Sequence, residues 1–133
     1  MQIVKRKRVI ALVLAACMLM GISLTASAAN DYDLNITYPF QGSKKWTDAY
    51  TKTTNATPYV KPKINTISTC YYLSTGANEE TLTTNIITTS NTSKKEFTWK
   101  SGYGGINTSF RLCAYPGIMT NYDPYNVRGE WSE

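Results

Sequence analysis

The sequence predicts an all-β fold: a small antiparallel β-sandwich, or a small barrel, of about six to eight strands after an N-terminal signal helix. Three observations carry this expectation. Period-two alternation recurs and is cleanest over residues 106–115. There Ile106, Thr108, Phe110, Leu112 and Ala114 fall on one face, and Asn107, Ser109, Arg111, Cys113 and Tyr115 on the other. Tyrosine, at ten residues, and threonine are heavily used, and both suit a pleated, half-exposed surface. The helix formers Ala, Leu and Gln become scarce after residue 30.

The first element precedes the β domain. Lys5, Arg6, Lys7 and Arg8 form a positive cluster, and residues 9–24 follow without a charge. Thr25-Ala26-Ser27-Ala28-Ala29 then supplies a small-residue A-x-A site. Basic, apolar and small in that order is the pattern of a secretory signal peptide. Cleavage is expected after Ala28, with Ala29 as the next choice. The chain divides into a signal peptide, 1–28, and one secreted β domain, 29–133. Two alternatives compete. The stretch 9–29 is long enough to span a bilayer as an uncleaved anchor, and Leu14-Ala15-Ala16-Cys17 resembles a lipobox, which would anchor the protein through a lipid on Cys17. The plain reading of Cys17 is an apolar residue of the removed segment.

Within the domain, residues 30–33 read as a loose polar lead-in. Residues 34–38 alternate and end against Pro39, giving a first strand whose apolar face Phe40 extends. Residues 41–45 form a turn. Residues 46–52 read as a strand or irregular segment because of their β-branched threonines, although Trp46 and Tyr50 stand a helical turn apart. After the turn at 55–58, residues 59–74 read as one long strand, interrupted at Pro62. Its second half sets Ile67, Thr69, Tyr71 and Leu73 against Ser68, Cys70 and Tyr72. The 75–80 stretch is a turn. Residues 81–89 and 96–100 are further strands, separated by a turn at 90–95. Gly102, Gly104 and Gly105 permit positive φ and suggest a glycine-rich hairpin into the 106–115 strand. No Lys-Ser/Thr pair or helix follows them, so a phosphate-binding loop is disfavoured. Pro116-Gly117 turns the chain out, residues 118–124 are a loop, and Tyr125, Val127, Gly129 and Trp131 alternate as the final strand.

Cys70 and Cys113 are the cysteines left after signal removal. An exported chain meets oxidising conditions, so a Cys70–Cys113 disulfide is the candidate cross-link. Closing the loop between them is worth about 4 kcal/mol in unfolded-chain entropy. Both cysteines alternate away from the apolar rows. The bridge is therefore expected across two neighbouring strands on the outer face of one sheet. Directly opposed residues there stand about 4.5–5.5 Å apart.

Charge and composition exclude several functions. The formal charge of +5 falls to near balance once the signal's four basic residues are removed, leaving ten Lys/Arg against nine Asp/Glu. That removes the electrostatic basis for nucleic-acid binding. Histidine is absent, which excludes the usual serine and cysteine triads and ordinary zinc sites. Glu79-Glu80 and the pair Asp31 and Asp33 read as solvated residues, not as carboxylates placed across a cleft. Asp123-Pro124-Tyr125-Asn126 lacks the acidic spacing of a calcium loop. No catalytic, cofactor-binding or metal-binding residue is assigned. Trp99 and Phe110 are expected in the core. Trp46, Tyr72, Tyr115 and Trp131 are candidates for an aromatic surface that binds sugars or another surface.

The export signal, Tyr50-Thr51-Lys52-Thr53-Thr54-Asn55, Val60-Lys61, Arg111-Leu112 and Val127-Arg128-Gly129-Glu130-Trp131-Ser132 together resemble a family of small secreted Firmicute proteins of unknown function. The resemblance runs across most of the domain and implies secretion from a Gram-positive cell, but no catalytic residues. The glycine-aromatic ending also resembles, more faintly, lactococcin-type bacteriocins. The expectation is a non-enzymatic β-sandwich, secreted or associated with the cell envelope, that acts by binding a cell-wall or other extracellular surface component. It would need no cofactor and would touch membrane only through its signal peptide. The alternative is a bacteriocin-like secreted antimicrobial.

Overall fold

The strand Asn30–Ile36 buries every second residue and the strand Thr69–Ser74 buries all six, and the inward rows belong to two antiparallel sheets packed face to face. The computed structural model describes residues 29–37, 44–64, 67–76, 80–117 and 123–133. The strands are β1 (Asn30–Ile36), β2 (Lys45–Trp46), β3 (Tyr50–Thr51), β4 (Tyr59–Ile64), β5 (Thr69–Ser74), β6 (Ile87–Thr89), β7 (Lys95–Glu96), β8 (Ser109–Pro116) and β9 (Tyr125–Ser132). One sheet has the order β1-β9-β4-β7. The other has the order β2-β8-β5-β6, with β3 also pairing to β8. The all-β expectation holds, as a sandwich. The signal segment with Cys17 and Ala28 lies outside the described residues. So do Tyr38 to Phe40, residues 41–43 and the 118–122 loop.

Between the sheets, β1 contributes Tyr32, Leu34 and Ile36, β4 contributes Val60, and β9 contributes Val127 and Trp131. They meet Tyr71 and Leu73 of β5 and Phe110, Leu112 and Ala114 of β8. Phe110 stands edge-on to Trp131, with ring centroids 5.5 Å apart, and to Trp99 at 5.3 Å. Such edge contacts add about 0.5–1.5 kcal/mol beyond the area they bury. Gly129 lies opposite Tyr32 in the β1–β9 register. A Cβ there would stand 2.4 Å from the Lys61 carbonyl oxygen and 2.7 Å from the Tyr32 hydroxyl. The glycine lets the Tyr32 side chain and the backbone of β4 close over β9.

A buried ion pair ties the residue after β9 to the loop after β3. The Glu133 carboxylate accepts hydrogen bonds from the Thr53 hydroxyl at 2.6 Å, the Thr54 amide at 2.9 Å and the Thr53 amide. Lys52 Nζ lies 3.7 Å away, and the two side chains are 2% and 0% exposed. Lys52 also donates to the carbonyls of Thr54 and Ala56.

Several boundaries differ from expectation. Residues 30–33 are not loose: all four pair with β9. The 59–74 stretch is two strands in different sheets, and Pro62 stays inside β4 beside a shift of register. Of residues 81–89 only Ile87–Thr89 forms a strand, with isolated bridges at Thr81 and Thr83. The central strand starts at Ser109. Ile106 is half exposed and Asn107 has φ of 70°, a left-handed turn residue. The glycine-rich segment is not a hairpin either, because β7 and β8 lie in different sheets. Gly102 and Gly104 do adopt positive φ, and Gly104 packs directly beneath the Trp99 ring.

Candidate functional site

The outer faces of the two sheets differ sharply. On the β1-β9-β4-β7 sheet the outer residues are mostly charged or polar, and several pair with one another. Lys63 bridges Asp31 and Glu130, each at 3.0 Å, and Arg128 Nε meets Asp33 at 2.9 Å. A shallow hollow of about 440 Å³ lies among these residues, but its charges are already matched and solvated. A smaller slot of about 210 Å³ sits where β1 approaches β2 and β3 at the sandwich edge, floored by Tyr50 and Trp131. Neither holds a convergent set of catalytic groups. Among the described residues no group of three or more His, Cys, Asp or Glu could hold a metal ion. No helix among them is long and apolar enough to cross a membrane.

The outer face of the β2-β8-β5-β6 sheet is aromatic. The register places Trp46 of β2 opposite Cys113 of β8, and Cys113 opposite Tyr72 of β5. The next row sets Tyr115 opposite Cys70, and Cys70 opposite Thr88 of β6. Alternation alone produces this arrangement, because the residues between these positions face the core. Tyr72 and Tyr115 meet edge to face with centroids 6.0 Å apart. Lys44 reaches over both rings, 5.8 Å from one centroid and 5.9 Å from the other. A cation over two tyrosines gains about 0.5–2 kcal/mol, depending on solvent access.

Three of the four aromatic candidates therefore converge. Trp131 does not. It is buried between the sheets against Phe110 and Tyr50 and is a core residue, because its parity on β9 matches Val127. Tyr72 is on the outer face yet almost fully buried, shaded by its neighbours, while Trp46 and Tyr115 are half exposed. The face thus has a closed floor of Tyr72, Cys70 and Cys113 and an open rim of Trp46, Tyr115, Lys44 and Arg111.

The expected disulfide is corrected. Cys70 and Cys113 do lie on adjacent strands and on the outer face, but both are free thiols. Each stands opposite a tyrosine, so the two thiols are diagonal neighbours, offset by two residues. Diagonal positions are about 7–8 Å apart, beyond the reach of a relaxed disulfide. The contact between Tyr72 and Tyr115 runs across that same diagonal. Cys70 Sγ instead lies 3.1 Å from Thr88 Oγ1. Burial pushes the Cys113 thiol up to about 11, although the Tyr72 hydroxyl and Lys44 pull the other way. Burial, with Cys70 beside its hydroxyl, likewise raises Tyr115 to about 12. Burial raises Tyr72 as well, with the Cys113 sulfur adding to it. At neutral pH these groups are uncharged, so the positive charge on the face comes from Lys44 and Arg111.

Sequence reasoning missed those two cations. Lys44 looked like a turn residue, and Arg111 was noted in the polar row and in the Arg111-Leu112 segment, without a binding role. The available signal was parity: Lys44 is two residues before Trp46, and Arg111 two before Cys113. Neither forms an ion pair among the described residues. Trp46 Nε1 and Arg111 Nε are buried without a hydrogen-bond acceptor. Comparison with family models, curated proteins and solved structures returned no match.

Proposed function

We propose that this protein is a secreted or envelope-associated binding domain that acts without catalysis, through the outer face of the β2-β8-β5-β6 sheet. The observation that carries the proposal is the convergence of Trp46, Tyr72 and Tyr115 with Lys44 and Arg111 on one face. Flat half-exposed rings present apolar area at low entropic cost, and the surrounding donors orient a polar ligand. The N-terminal pattern of basic, apolar and small residues supports export, so the partner is an extracellular or cell-wall component. The resemblance to small secreted Firmicute proteins supports the same placement. The test is a pull-down of the purified domain on purified cell wall, beside Trp46→Ala and Tyr115→Ala variants whose folds are checked by circular dichroism. Retention of the wild type and loss in both variants is expected. Failure of the wild type to sediment with wall refutes the proposal. Growth inhibition of related strains without wall binding would favour the antimicrobial alternative instead.

A further inference from the structure

Resting on that reading, we infer that the ligand of the aromatic face is an anionic saccharide chain. The inference comes from the sign and saturation of the polar groups around the rings. On the opposite sheet the outer cations Lys63 and Arg128 each have a carboxylate within about 3 Å. On the aromatic face the two cations have none among the described residues, and the groups left over are donors: the Lys44 ammonium, the Arg111 guanidinium and the Trp46 indole N–H. Two of these donor atoms are buried and unpaired. Those buried atoms are out of a ligand's reach, so the exposed Lys44 and the partly exposed Arg111 side chain carry the contact with a ligand's acceptors. A ligand complementary to this rim supplies acceptors and negative charge.

The rings add the second requirement. Tyr115 and Trp46 are half exposed over a closed floor, which suits the flat apolar face of a sugar ring stacked on an aromatic surface. A free inorganic anion would use the donors and leave the rings idle. A neutral sugar would use the rings and leave the cations unmatched. A saccharide that carries a carboxylate or a phosphodiester in each repeat uses both, with the anion between Lys44 and Arg111 and the sugar face on Trp46 or Tyr115.

The experiment uses the exported protein and three soluble polymers: polygalacturonate, poly(glycerol phosphate) and neutral dextran. Binding is measured by affinity electrophoresis or calorimetry at low and high salt. Retention by at least one anionic polymer is expected, with none by dextran and with weakening as salt rises. Which anionic polymer binds then identifies the anion as carboxylate or phosphodiester. Lys44→Gln, an exposed substitution that leaves the core untouched, is expected to weaken binding about tenfold. Arg111→Gln is expected to do the same, and Lys44→Gln keeps the test valid should Arg111→Gln not fold. Equal binding of dextran, indifference to salt, or no binding of either anionic polymer overturns the inference. If Trp46→Ala abolishes wall binding while Lys44→Gln leaves it unchanged, the binding face stands and the anionic ligand fails. If neither variant changes wall binding, the face itself is wrong.

Discussion

Replacing Glu133 with Gln probes the buried pair that ties the residue after β9 to the loop after β3. The native carboxylate accepts three hydrogen bonds and faces the Lys52 ammonium at 3.7 Å, with both side chains almost fully buried. Glutamine keeps one acceptor oxygen and turns the other into an amide nitrogen that confronts N–H and O–H donors. It also leaves the Lys52 charge buried with the Thr54 and Ala56 carbonyls and the face of the Trp99 ring, but no anion. Removing one partner of a buried pair costs about 3–5 kcal/mol. At about 4–8 °C per kcal/mol for a domain of this size, Tm should fall by more than about 10 °C. The double variant Lys52→Met with Glu133→Leu should recover much of that loss, because an apolar replacement no longer strands a charge. The pH dependence gives a second readout. Burial alone would raise the Glu133 carboxyl, but the Thr53 hydroxyl, the Thr54 and Thr53 amides and Lys52 together hold it below its ordinary value of 4.5. A depressed folded pKa contributes stability in full above the unfolded value, and that stability is lost as pH falls through the folded value. Wild type should therefore lose stability progressively below pH 4.5, and Glu133→Gln should lose less over that range. Urea melts of both proteins at several pH values provide the measurement. A Glu133→Gln midpoint within about 1 kcal/mol of wild type would refute the reasoning.

Gly129→Ala should destabilise the fold by about 1–3 kcal/mol, since its Cβ meets the Lys61 carbonyl oxygen at 2.4 Å and the Pro62 Cα at 2.8 Å, both backbone atoms. An unchanged denaturation midpoint would show that β4 can yield there. Both cysteines should be alkylated in the denatured protein without prior reduction. In the native protein Cys113 should react with iodoacetamide only as pH approaches 11, where its buried thiol ionises. A mass two daltons lower that returns on reduction would show a disulfide and refute the register.

Alternation was legible wherever a strand has one buried and one outer face. It fixed the faces of Cys70, Tyr72, Cys113 and Tyr115, whereas the adjacency of β5 and β8 was inferred through a disulfide that is absent. Register was not legible. Parity says which face Cys70 and Cys113 share, but it cannot distinguish an opposed pair from a pair offset by two, and that offset decides the disulfide. Trp131 shows the converse limit. Its alternation with Val127 was visible, yet sequence does not say which parity faces inward when a strand carries aromatics beside small residues. The stretch 59–74 read as one strand because both halves are β-formers, and only packing reveals that they serve different sheets. Lys52 and Glu133 carried no local signal at all, since a buried ion pair between residues so distant in sequence is created by the fold.

β9 occupies an interior position in its sheet, between β1 and β4, although it comes after every other strand in the chain. Translation delivers its two neighbours long before β9 itself. Until then β1 has no partner in its sheet, Tyr32, Leu34 and Ile36 have no β9 surface to pack beside, and the Glu133 clasp does not exist. The β1-β9-β4-β7 sheet therefore cannot form early, although every strand of the other sheet precedes β9. It closes in a single late event that depends on contacts distant in sequence, and such events are slow. In a nascent chain of this topology that sheet stays open until its last strand has been made.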